Sequence, residues 1–168
     1  MRVTLEQVDR KALKELLVKN WMTHDAMWFM NAVGTMGIET ANSMNRSSVR
    51  MMAGVEAKRI RKLMGVDSVG DISTLRDFFE TARELVIGDF IDFTWEWHAS
   101  SFDFEITKCF AFDGVSKLGV AGEYECGIYE RIYGWLEALG VEYEVSPQVD
   151  HCTMFHGGEC KRTFRVSF

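Results

Sequence analysis

The chain is short of several things, and each shortage removes a class of protein. It has one proline, four histidines and four cysteines in 168 residues, and no two cysteines share the C-x-x-C spacing of a zinc ribbon or a redox dithiol. The longest apolar run, Ala26 to Met30, falls far short of the ~20 residues that span a bilayer. Positive charge is in deficit: a net charge of −6 disfavours a general nucleic-acid surface. Lys58, Arg59, Arg61 and Lys62 form the one local basic cluster, which spreads around a helix end rather than along a stripe. Low-complexity linkers and internal repeats are missing too, and Arg2 to Lys19 is amphipathic and charged rather than a leader, so a cytoplasmic location is expected. With 47% hydrophobic and 26% charged residues, residues 1–168 suit one domain with a sizeable core, a helical half over 1–88 and a mixed half over 89–168.

Periodicity supplies the elements. Leu5, Val8, Ala12, Leu13, Leu16 and Leu17 recur at helical spacing behind a Thr4 cap. About Thr23 to Met36 is apolar on nearly all sides and closes at Gly37, which predicts a central buried helix. A third helix is expected from about Glu39 to Met64 and a fourth from about Ser73 to Val86, ending at Gly88. The period then drops to two: Ile91, Phe93, Trp95 and Trp97 alternate with Asp92, Thr94, Glu96 and His98, and Phe102, Phe104 and Ile106 alternate with Asp103, Glu105 and Thr107. That pattern gives two antiparallel strands joined near Ala99–Ser101. A helix over Tyr129–Leu139 and strands over Val141–Val145 and Lys161–Phe168 follow. The expected fold is α+β, with N-terminal helices packed on a C-terminal antiparallel sheet and a helix preceding the last hairpin.

All four cysteines lie in the C-terminal half, from Cys109 to Cys160. Cys126 falls near a helix start, where the peptide dipoles favour the thiolate that metals need. Cys152 and Cys160 flank Gly157-Gly158, where a hairpin would set them side by side. Cys109 ends an alternating strand. Convergence of Cys109, Cys126, Cys152 and Cys160 would make an all-sulfur site suited to structural zinc or, alternatively, an iron–sulfur cluster. His151 and His156 compete as fourth ligand. The plainer reading is four reduced core cysteines, since a free thiol packs as a small hydrophobe.

The stretch Gly119 to Phe168, with Cys126, Cys152, the Gly157-Gly158 turn, Cys160 and the closing Thr163-Phe164-Arg165-Val166, resembles the 4-vinyl-reductase-type domain. That resemblance implies a small-molecule-binding or sensor module with zinc beside a buried ligand pocket, and a homodimer. In phenol-sensing members a glutamate three residues before the second cysteine also binds zinc. Val149 stands there in this chain, so Cys109, Asp150 or His151 has to replace it, with Cys109 preferred. In the N-terminal half, His24-Asp25-x-x-Trp28-Phe29 and Val55-Glu56-Ala57-Lys58-Arg59-Ile60 look like proteins grouped near the L-2-amino-thiazoline-4-carboxylic acid hydrolases.

The body of the chain offers a ligand face. His24, Trp28, Asn31 and Thr35 share one side of the second predicted helix, and a polar stripe amid Met, Phe and Val suggests a wet or ligand-filled cavity. The competing reading has His24 and Asn31 bonded to neighbouring backbone. Trp95 and Trp97 would supply wall for a hydrophobic or aromatic small molecule. Glu56 lies on the inward stripe of the third helix, neutralised by Arg59 at i+3 or facing His24 as an acid–base partner. Two functions follow: a zinc-containing sensor domain, and a hydrolase of a cyclic C–N or C–S substrate with His24 as base and Glu56 as partner.

Overall fold

The computed structural model describes residues 2–168. Its first long element, α1, runs unbroken over Arg10–Met36 where two helices were expected. Nothing in Val18-Lys19-Asn20-Trp21-Met22 stops propagation, because no proline or glycine interrupts the run. Thr4 heads only a 3-10 turn, Leu5–Gln7, and its N–H donates to the Gln7 side chain (3.0 Å). The operative cap is Asp9, whose Oδ1 accepts from the Lys11 and Ala12 amides at 2.9 and 3.2 Å.

Gly37, with φ at +82°, is the whole connection to α2, Ile38–Met64. A positive φ of this kind suits glycine and lets two long helices reverse over a single residue. Helix α3 covers Ile72–Val86, capped by Asp71, whose Oδ1 accepts from the Thr74 amide at 2.7 Å. That hydrogen bond holds the Asp71 carboxyl below its ordinary value.

Strands β1 (Ile91–Trp97) and β2 (Ser101–Cys109) pair antiparallel, with the register shifted at Asp92/Phe93. Helix α4, Phe110–Leu118, then starts immediately after Cys109. It was not expected: its nine residues include Gly114, and so short a segment shows too few turns for its period to register. Helix α5, Gly127–Leu139, has Cys126 at its N-cap. Strands β3 (Glu142–Ser146) and β4 (Cys160–Ser167) complete an all-antiparallel sheet in the order β1-β2-β4-β3. The fold is α+β, as the change of period predicts.

The hairpin expected around Gly157-Gly158 is replaced by a loop. Cys152 lies outside any strand, and the segment turns through Thr153, whose carbonyl accepts from the His156 and Gly158 amides at 3.2 and 3.1 Å. A single bridge between Glu125 and His151 ties this loop to the entrance of α5.

One core joins the sheet to α3 and α5. Phe79 stands edge-on to Trp95, Trp97 and Trp135, while Phe102 stacks on Phe164 at 4.8 Å. Helices α2 and α5 approach so closely that a Cβ on Gly134 would sit 2.5 Å from the Arg50 carbonyl oxygen and 2.8 Å from the Ala53 Cβ. Along this seam Arg46 and Arg50 both bind Glu130, at 2.9 and 3.0 Å, and Arg50 also pairs with Glu137. No helix among the described residues is long and apolar enough to cross a membrane.

Candidate ligand cavity and cysteine site

A cavity of about 300 Å³ opens where α1 lies over the remaining elements. Helix α1 contributes Trp21, Met22, Asp25, Ala26 and Phe29; α2 contributes Asn45, Ser48, Val49 and Met52. Phe79 of α3 and the sheet residues Phe93, Trp95 and Phe104 form the floor, with Phe110 and Val115 of α4 and Ile128, Arg131 and Trp135 of α5 closing the far side. The wall is overwhelmingly hydrocarbon and aromatic, with a few polar groups set into it, which is the composition that buries a small organic molecule.

Two of the lining residues are charged, Asp25 and Arg131. Arg131 is paired with Glu56: its Nε and Nη2 donate to the two carboxylate oxygens at 2.9 and 2.7 Å, and its guanidinium lies 5.2 Å from the Trp135 ring centre and 5.7 Å from that of Trp21. Glu56 also accepts from Trp135 Nε1 at 2.8 Å. Glu56 is therefore inward, as the helical stripe predicts, but its partner is Arg131 rather than Arg59. A contact between residues so distant in the chain leaves no local spacing to read. Asp25 makes no ion pair or hydrogen bond among the described residues, and burial raises its carboxyl above the ordinary value.

The stripe His24, Trp28, Asn31 and Thr35 does share one face, but that face is the outer one. These residues line an open groove with Met27 and Met36, and all four are exposed. Asn31 Nδ2 donates to the Met27 carbonyl at 2.8 Å, which is the backbone reading of that residue. The second predicted helix is likewise not a buried one: Ala32 is the buried residue of α1, and Met27 and Trp28 are 52% and 51% exposed. His24 and Glu56 do not meet, because one sits in the outer groove and the other in the Arg131 pair. The acid–base pairing expected of them is absent. Trp95 lines the cavity and bonds Glu80 through Nε1 at 2.7 Å. Trp97 instead packs on Phe79 and Phe102 in the core, with its buried Nε1 unpartnered.

The cysteines are gathered around one small pocket. Cys109, Cys126, Cys152 and Cys160 all line a second, much smaller pocket of about 10 Å³, together with Tyr129, His151 and Arg162. Three connections assemble it. Cys160 pairs with Ile106 across β2 and β4, the Cys126 amide donates to the Asp150 carbonyl at 2.6 Å, and the Cys152 amide donates to the Tyr124 carbonyl at 3.2 Å. The sulfurs surround the pocket without any three of them falling within 4.8 Å of one another. Tetrahedral zinc, at about 2.3 Å per bond, would draw them inward.

Burial is the dominant influence on three of these thiols, pushing Cys109 to about 12 and Cys126 to about 11, and raising Cys160. At Cys126 the amides at the start of α5 act in the opposite direction, as the helix position predicts, but burial outweighs them. Of the alternative fourth ligands, Asp150 is an exposed residue 3.9 Å from Arg46, whereas His151 borders the pocket with about half its side chain exposed.

Arg162 is the residue that the sequence did not single out. It is 3% exposed, its guanidinium lies 3.7 Å over the Tyr129 ring, and it donates to the Tyr133 hydroxyl, yet it has no carboxylate partner among the described residues. A buried cation with no counter-charge is costly by several kcal/mol. The groups beside it able to carry negative charge are the thiols of Cys126 and Cys160 and the phenols of Tyr129 and Tyr133, and its charge favours the anionic form of each.

A third cluster, Glu96, His98 and Asp103, brings its ligand atoms within 4.8 Å at the β1–β2 end. Asp103 already accepts from Thr163 at 2.7 Å and pairs with Lys161 at 3.0 Å, so this is a solvated hairpin end.

No curated protein and no solved structure matches the chain. Residues 4–87, half of the chain, match the family of unknown function DUF6125, and the protein belongs to that family.

Proposed function

We propose that this protein is a small-molecule-binding domain whose cavity takes a hydrophobic or aromatic ligand beside a structural zinc–thiolate site. The observation that carries the reading is the apolar cavity of about 300 Å³ between α1 and the body of the fold, a volume in the range of small-ligand sites. The metal half rests on the donor chemistry: four thiols around one pocket and a buried arginine awaiting negative charge. Cys109, Cys126, Cys152 and Cys160 would hold the ion, and bound zinc would supply a cross-link among β2, α5, β4 and the loop at Cys152. A pocket of about 10 Å³ admits one ion more readily than an iron–sulfur cluster. The resemblance of Gly119–Phe168 to the 4-vinyl-reductase-type domain accords with this pairing of cavity and cysteines. The free thiols suit a reducing cytoplasmic setting.

The test is metal analysis joined to ligand binding. Anaerobically purified protein should carry about one zinc per chain, Cys152→Ser should lose it together with thermal stability, and an apolar fluorophore should bind the folded protein at one site. Protein free of zinc in every preparation would end the metal half, and a folded protein that takes up no apolar probe would end the binding half.

A further inference from the structure

We propose that the ligand is a hydrophobic amine, bound as its ammonium ion with Asp25 as counter-ion. This rests on the ligand-binding reading above and names its chemistry. The argument is a balance of charge inside the cavity. Arg131 and Glu56 cancel through two hydrogen bonds, and the remaining polar groups of the α2 wall, Asn45 and Ser48, are neutral. The unbalanced charge is the carboxylate of Asp25, which lies between Trp21 and Phe29 on the cavity face of α1 and makes no hydrogen bond or ion pair among the described residues, the adjacent His24 of the outer groove acting on it only through space. A partly buried carboxylate facing aromatic carbon is unfavourable until a cation or donor reaches it. An ammonium group supplies both charge and hydrogen bonds, and the rings around it favour a cation over their faces. A carboxylic acid would meet the opposite situation, since its charge would face Asp25 while the guanidinium that could receive it is held by Glu56.

Four probes with one naphthalene body decide the matter by calorimetry on the full chain as purified: 1-methylnaphthalene, 1-naphthylmethanol, 1-naphthylmethylamine and 1-naphthoate. The amine is expected to bind about tenfold or more tighter than the alcohol, and the carboxylate weakest of the four. Asp25→Asn should bring amine and alcohol to similar affinity without weakening methylnaphthalene binding or lowering the melting temperature. An alcohol or carboxylate that binds as tightly as the amine, or an amine preference that survives Asp25→Asn, overturns the assignment of Asp25 and leaves the cavity reading standing. If methylnaphthalene and the other three all fail to bind, the cavity reading itself falls and the amine with it.

Discussion

Helices α1 and α5 are fixed to the molecule in opposite ways. Helix α5 buries Gly127, Tyr129, Glu130, Ile132, Gly134, Trp135, Leu136 and Leu139 within thirteen residues, whereas α1 buries Ala32 in twenty-seven. The first is locked by interdigitation and ion pairs on both sides of Gly134. The second rests on the rim of a cavity, with much of its apolar surface in water. Such a helix is held by its cap, its short link to α2, a few ties such as the Lys19–Asp89 ion pair and the Phe29–Tyr124 edge contact, and whatever fills the space beneath, so local opening should begin there.

The largest effect is expected from prying open the tighter contact. Gly134→Val places carbon against the Arg50 carbonyl and Ala53, and should cost about 3 kcal/mol or more in denaturant unfolding. A loss below about 1 kcal/mol would mean that the α2–α5 seam is not the rigid element. Glu56→Ala comes next. It strands the Arg131 charge and the Trp135 N–H, with an expected cost of about 3 kcal/mol, the low end for a buried pair because both side chains keep some exposure, that Glu56→Gln should partly recover. The smallest effect belongs to α1. Asp9→Ala removes the acceptor of two helix amides, costing about 1 kcal/mol and speeding hydrogen exchange in the first turns of α1 while α5 stays protected. Equal acceleration in both helices would erase the contrast.

The same contrast explains what could be read from the sequence. Strands β1 and β2 were legible because one face is buried and the other wet, so Ile91, Phe93 and Trp95 alternate cleanly with Asp92, Thr94 and Glu96. Helix α5 was legible for a similar reason, its start displaced from Tyr129 to Gly127. In α1, apolar residues on every side give no direction, so the turn-by-turn stripe of His24, Trp28, Asn31 and Thr35 pointed outward while its neighbour Asp25 pointed in. The cysteines were expected to share a metal site, and the four border one pocket without any three sulfurs lying within 4.8 Å of one another. What gathers them is a loop turning at Thr153 and a single bridge at His151, features that carry no periodicity. Arg162 was invisible because it sits on an alternating strand like any exposed arginine, and only the fold reveals that its position is an inward one.

The light hold on α1 bears on how long any occupant stays. A guest shut in by a well-packed wall leaves when the whole protein unfolds, but one covered by this helix can leave each time the helix lifts. Its residence time would then follow the fraying of a single element, shortening with mild denaturant or warming well before the sheet is disturbed.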